Sequence, residues 1–258
     1  MLKQIFSPNT RRIRKLKDRY KGERCFLVGN GPSLKAMDLT PLADEFVFAT
    51  NMFVMHDDLE TVRPDFYCLS DWVHWAKEYQ QRNCNFIPEI EAAFARLPNT
   101  LFFFEDSAKY ARSQNLKREN AFYIEVDGAA PIWDGHYNTD ISRAVNWGKT
   151  VMLDFCVPVA DYLGFESMYL IGNDYNWNLD KSANLGQGYF YDIKADPRGL
   201  VGSEAHIART RSDEHVRLIM QSFEIVARDL NERGKFIYNA GIGGSLDVIP
   251  RVDFNGLF

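Results

Sequence analysis

The chain has 258 residues, 46% hydrophobic, 14% aromatic and 25% charged; at roughly 150 residues per domain it holds one large domain or two small ones, with ample material for a core. These proportions exclude a disordered chain, a collagen, a disulfide scaffold and a coiled-coil rod. A formal net charge of -5, from 35 acidic and 30 basic side chains, supplies no global field for polyanions, so no nucleic-acid partner is expected.

Met1 to Pro8 carry no apolar run of signal-peptide length, and no stretch approaches 18 uninterrupted apolar residues. Cys25, Cys68, Cys84 and Cys156 are scattered, without C-x-x-C pairing, and read as reduced thiols. Together these features point to a cytoplasmic protein. Between Thr10 and Lys21 the sequence TRRIRKLKDRYK spaces Ile13, Leu16 and Tyr20 as one stripe among basic residues, predicting a basic amphipathic helix within residues 1–21. A stripe docked on the domain is the simpler reading. Peripheral contact with an anionic inner-membrane leaflet through residues 10–21 is the other, since each Lys or Arg at such a surface contributes on the order of 1 kcal/mol.

From Gly22 onward, short runs rich in Val, Ile, Phe and Tyr alternate with helical patterns. The runs start at Cys25 (CFLVGN), Phe46 (FVFATN), Asp65 (DFYCLS), Thr100 (TLFFFE), Ala121 (AFYIEV), Ser167 (SMYLIG) and Lys235 (KFIYNA), as buried strands require. Helices are expected from Lys149 to Leu163, stopped at Gly164, and from Ser212 to Arg233, capped by Ser212 or Asp213 and stopped at Gly234. The alternation implies an α/β, Rossmann-like, mostly parallel sheet of about seven strands with helices on both faces. No repeat or linker divides residues 22–258, which read as a single catalytic domain. The aperiodic polar stretch from Tyr175 to Arg211 is long for a loop and is expected to be a lid over the substrate.

Candidate chemistry gathers at strand ends. Gly29-Asn30-Gly31-Pro32-Ser33-Leu34 follows the first strand, where two glycines permit a tight turn and close approach of a ligand such as a phosphate. Leu34 replaces the third glycine of the dinucleotide fingerprint and Pro32 removes a donor, so neither NAD nor a Walker loop fits. Asn51 ends the second strand where NAD enzymes place an acid; an amide there suits a ribose hydroxyl or a base edge. The third strand ends at Ser70-Asp71-Trp72. The sixth ends at Gly172-Asn173-Asp174-Tyr175-Asn176, where Asp174 is the most function-like carboxylate, although Asp is also a common loop former. One carboxylate without a nearby second acid or His makes no divalent site, so no metal is expected; only Asp71 and Asp174 stand where they would converge. Of the five histidines, His206 lies just before the helix that begins near Ser212 and is the better general base; His215, in the first turn of that helix, is the alternative.

GERCFLVGNGPSLKAMDLTPL, FATNMF, VMLDFCVPVADYLGFESMYLIGNDY and the terminal GKFIYNAGIGGSLDVIPRVDFNGLF resemble a pattern shared by two related groups. One is the bacterial CMP-sialic acid-dependent sialyltransferases of lipo-oligosaccharide synthesis. The other is the archaeal 6-hydroxymethylpterin diphosphokinase-like, or MptE-like, family, which includes proteins from surface-polysaccharide clusters. The first resemblance implies a metal-independent inverting glycosyltransferase that moves sialic acid or a related nonulosonic acid from a CMP-linked donor to a glycan acceptor, without a further cofactor. It places Asn30 and Ser33 on the CMP, Asn51 on its ribose or cytosine, and Ser70 or Asp71 where that family has an asparagine. Lys149 falls where the family keeps an arginine near the donor phosphate. Tyr175, next to Asn176, and Tyr189 or Tyr191 stand near the positions of two phosphate-binding tyrosines. His206 then deprotonates the acceptor while Lys149 and a tyrosine stabilise the departing phosphate. The second resemblance implies a Mg- and ATP-dependent pyrophosphokinase. A nucleotide-binding module without catalysis is the third reading.

Overall fold

The computed structural model describes residues 7–70, 91–92, 95–108, 118–176, 188–192 and 212–258. Its strands are β1 (Arg24–Val28), β2 (Val47–Thr50), β3 (Phe66–Leu69), β4 (Leu101–Glu105), β5 (Ala121–Ile124), β6 (Val126–Asp127), β7 (Val145–Asn146), β8 (Ser167–Ile171) and β9 (Phe236–Asn239). Seven of them form one sheet in the order β5-β4-β3-β2-β1-β8-β9, and every pairing in it is parallel. All seven runs expected from the sequence are in this Rossmann-like sheet. The two-residue pair β6 and β7 makes a separate ribbon.

Alternation along each strand builds two cores. Cys25, Leu27, Phe48, Phe66, Cys68 and Phe103 face one layer, while Phe26, Val28, Val47, Ala49, Tyr67 and Phe102 face the other. Strands buried on both faces need apolar residues at every position, which explains runs such as FLV and LFFF. The first layer is closed by α3 (Val157–Leu163) and α4 (Asp213–Glu232). Against the second pack short 3-10 turns carrying Leu34, Leu42 and Phe53, the four-residue α2 (Leu59–Val62) and Phe254 near the C-terminus. Ser212 caps α4 by accepting the His215 N–H at 3.1 Å, and Gly164 and Gly234 lie in the left-handed region at the helix ends.

The basic N-terminal segment forms a shorter helix than its periodicity suggests, α1 (Pro8–Arg14), capped by Ser7. Its stripe is closed inside the molecule. Ile13 and Leu16 are buried, and Tyr20 stacks on Phe165 and meets Phe46 and Phe66 edge-on. Asn9 exchanges two hydrogen bonds with the Tyr123 backbone on the outer strand β5, which blunts a bare sheet edge. With the stripe docked, the exposed side of the segment carries cations such as Arg11, Lys15 and Lys17. Among the described residues no helix is long and apolar enough to cross a membrane.

One buried ion cluster ties the first layer together. The Asp161 side chain, 1% exposed, accepts from Arg233 through both oxygens at 2.8 Å and from Lys235 at 2.7 Å. It clamps α3 to the end of α4 and the start of β9.

Candidate functional site

From β1 the chain runs outward through β2 to β5, then returns to the other flank of β1 for β8 and β9. The order reverses between β1 and β8, and ligands of open α/β sheets bind outside the carboxyl ends of strands at that point. Two turns stand there, Gly29-Asn30-Gly31 and Gly172-Asn173-Asp174. The Gly29 N–H donates to Ile171 O at 2.8 Å and the Gly31 N–H to Gly172 O at 2.7 Å. A Cβ on Gly29 would overlap Gly172 O, and one on Gly31 would overlap the Asp174 carboxylate while lying 2.7 Å from Gly172 O. These two glycines therefore serve the close approach of one turn to the other. That differs from the expected role of admitting a ligand.

The approach brings Asp174 across to the first turn. Its Oδ2 accepts the Ser33 N–H at 3.0 Å and its Oδ1 the Ser33 hydroxyl at 2.6 Å. Burial pushes the Asp174 carboxyl above the usual carboxylate range, opposed by the bonds from Ser33 and by the charge of Arg251. Behind it, Gly244 at φ +75° leaves no room for a side chain against the Asp174 backbone, and the Ser245 N–H donates to Asp174 O at 2.6 Å. The expected phosphate position thus already holds an anionic group made by the chain. A second anion placed against Ser33 would meet that carboxylate.

Asn30 and Asn51 stand at the ends of β1 and β2. The Asn30 amide donates to Thr50 O at 3.1 Å and Thr50 Oγ1 at 2.8 Å, which fixes which end of the amide faces away. Asn51 adopts a left-handed φ of +47°, and its carbonyl accepts the Tyr67 hydroxyl at 2.6 Å. The Oδ1 atoms of both asparagines are buried and have no partner among the described residues. An orphaned buried acceptor costs about 1–3 kcal/mol, so two at adjacent strand ends call for a ligand that donates hydrogen bonds. Of the expected lid, residues 175–176 and 188–192 are described, and the second piece returns to this place. The Phe190 N–H donates to Asn30 O at 3.1 Å, its ring packs on His56, and Tyr189 stacks on Tyr191.

The remaining expected residues divide. Ser70 donates to Asp154 Oδ2 at 3.2 Å. Tyr175 is buried, 5.7 Å from the Phe223 ring between centroids. Its hydroxyl lies 3.3 Å from both Thr150 Oγ1 and Asn173 Oδ1, and burial pushes that hydroxyl far above its ordinary pKa. This is a place inside the core, unlike the phosphate contact expected of it. Lys149, at φ +68°, holds its ammonium over Trp133 and Trp147, 4.5 and 4.6 Å from the ring centroids. Asn176 is exposed. Asp71 and His206 lie outside the described residues, and His215 sits in the capped first turn of α4.

Two participants, Asp154 and Thr150, escape a reading of the sequence, and Asn173 is read only as part of a strand end. Asp154 lies in a π-turn, Met152–Cys156, that precedes α3 where a continuous helix from Lys149 is expected. It joins Ser70 to the Gly148 N–H, which donates to its Oδ1 at 2.6 Å. Thr150 and Asn173 position Tyr175. An acid at an otherwise apolar position of the expected helix was the available signal for Asp154. Among the described residues no group of three or more His, Cys, Asp and Glu side chains is placed to share a metal ion.

A family model for 6-hydroxymethylpterin diphosphokinase MptE-like proteins matches residues 1–180. No curated protein matches the chain. Among solved structures, the chain is similar to the sialyltransferase CstII from Campylobacter jejuni in complex with a substrate analogue, cytidine-5'-monophosphate. The match has a TM-score of 0.52 and 15% sequence identity, covering 91% of this chain and 86% of that one. At that identity the likeness is one of fold, and it extends over nearly the whole of both chains. With more than half of its length matched by the family model, the chain belongs to the 6-hydroxymethylpterin diphosphokinase MptE-like family.

Proposed function

We propose that this protein is a glycosyltransferase that takes sialic acid or a related nonulosonic acid from a CMP-linked donor and passes it to a glycan acceptor. The observation that carries the reading is the pair of orphaned acceptors, Asn30 Oδ1 and Asn51 Oδ1, at neighbouring strand ends beside the switch point. A nucleoside brings ribose hydroxyls and an exocyclic amine, which donate; a phosphate brings only acceptors. The fold relative whose structure contains cytidine-5'-monophosphate supports cytidine as that nucleoside. In this reading Asn30 and Asn51 bind the nucleoside, Asp174 and Ser33 lock the turn that presents them, Ser70 and Asn176 stand at the same sheet edge, and Asp71 joins the substrate contacts. Tyr175 is a positioning residue. His206 is the base that takes the acceptor proton, and the expected lid beyond Tyr175, up to residue 211, excludes water. Lys149 belongs with the acceptor side, where its indole neighbours are.

The test is release of CMP from CMP-sialic acid, with and without a saccharide acceptor, in EDTA. The reading expects metal-independent release that His206→Ala abolishes. A second reading has the family match behind it: pyrophosphoryl transfer from ATP to a hydroxymethylpterin, which relies on metal-neutralised charge. Turnover that appears only with Mg2+, ATP and the pterin, with no CMP release, favours it over the first.

A further inference from the structure

Trp133 and Trp147 form a corner, with ring centroids 5.1 Å apart and planes at 67°. Both walls are fixed by backbone contacts. The Trp147 N–H donates to Asp127 O at 3.4 Å, its carbonyl accepts the Ile132 N–H at 3.0 Å, and Trp133 O accepts the Gln221 side chain from α4 at 2.9 Å. Trp147 nevertheless remains 39% exposed.

The corner stands at the same end of the sheet as the orphaned asparagines. Two residues past Trp147, Lys149 places its ammonium over both rings. Gly148 is tied through Asp154 to Ser70 at the end of β3, and Thr150 through its hydroxyl to Tyr175 after β8. The Glu214 carboxylate, in the first turn of α4, is taken by Arg217 through both oxygens at 2.7 Å. A partly exposed indole therefore lies beside one ammonium, that of Lys149.

That combination suits a particular ligand chemistry. The C–H face of a pyranose stacks on an indole, and its hydroxyls, each both donor and acceptor, can accept from an ammonium. A nucleobase also stacks, but the nucleoside positions at Asn30 and Asn51 lie at other strand ends. Both rings are held by their backbone contacts, so little ordering is lost on binding.

We infer that the Trp133–Trp147 corner, with Lys149 beside it, is a saccharide subsite that seats a hexose ring of the acceptor glycan. The assignment to the acceptor rests on the glycosyltransferase reading; the saccharide site itself is tested apart from it. Methyl β-galactoside and lactose are titrated into the full chain, with saturation-transfer NMR and tryptophan emission as readouts. Free-sugar affinity is expected on the order of millimolar. Trp147→Ala should weaken it about tenfold or more, whereas Trp147→Tyr, which keeps an aromatic face, should stay within about threefold. Failure of both sugars to bind the wild-type chain, or equal binding by Trp147→Ala, overturns the inference. Stabilisation of the wild-type chain by CMP is measured separately. Saccharide binding without a CMP effect keeps the subsite and removes the donor reading, while a CMP effect without saccharide binding does the reverse.

Discussion

Replacing Asp174 with alanine tests whether the chain's own carboxylate holds the first turn in place. The change removes both acceptors of Ser33, at 3.0 and 2.6 Å. Hydrogen bonds to a charged group contribute about 1.5–3 kcal/mol each, and the relief of a buried carboxylate offsets part of that, leaving a net loss of about 2 kcal/mol. For a chain of this size about 2 kcal/mol lowers Tm by roughly 4–8 °C. The pH dependence has a definite sign. Burial raises the folded pKa of Asp174 above its unfolded value, so the folded chain binds the proton more tightly and stability falls as pH rises from the ordinary carboxylate range through the raised value. The gap between wild type and Asp174→Ala should therefore narrow across that interval, as read by thermal melts from acid to neutral pH. The freed Ser33 N–H and hydroxyl should also accept an anion, so inorganic phosphate should stabilise the variant more than the wild type. An unchanged Tm, a gap that widens with pH, or equal phosphate effects would refute the reasoning.

Three further outcomes are expected. Asn51→Gly places glycine where φ is +47° and deletes a buried orphaned acceptor, so stability should stay within about 1 kcal/mol of wild type while cytidine affinity drops about tenfold; calorimetric titration and a thermal melt on the same sample check both. Gly31→Ala, whose Cβ collides with the Asp174 carboxylate and with Gly172 O at 2.7 Å, should lower stability by about 1–3 kcal/mol in urea unfolding, more than Gly128→Ala, where a Cβ meets open space. Arg233→Ala leaves Asp161 with Lys235 as its remaining cation and should cost about 2–4 kcal/mol by the same assay, whereas Arg217→Ala, which breaks an exposed pair with Glu214, should leave the unfolding midpoint close to that of the wild type.

The sheet was legible because parallel strands buried on both faces must be apolar at every position, and runs such as CFLV and LFFFE leave no competing pattern. Helix ends at Ser212, Gly164 and Gly234 were legible for the same local reason, a side-chain cap or a residue tolerant of positive φ. What periodicity does not encode is a local change of helical pitch, so the π-turn at Met152–Cys156 and the role of its Asp154 lay hidden within an expected continuous helix. The site shows the same divide. That Asn30, Asn51 and Asp174 belong to strand ends follows from local sequence. That Asp174 bonds Ser33, 141 positions away, and that Gly31 is needed for this contact rather than for a phosphate, are tertiary facts with no local signature. Lys149 is a similar case: the family resemblance implies a cation near the donor phosphate, but its indole partners come from Trp133 and Trp147, brought there by the small β6–β7 ribbon.

Calorimetric titration of cytidine, CMP and inorganic phosphate into the wild-type chain and into Asn51→Gly probes the nucleoside assignment most directly. The account predicts that cytidine and CMP both bind the wild type, that phosphate alone does not, and that Asn51→Gly loses about tenfold for both nucleosides. Binding of phosphate alone, or cytidine affinity indifferent to Asn51, would contradict it.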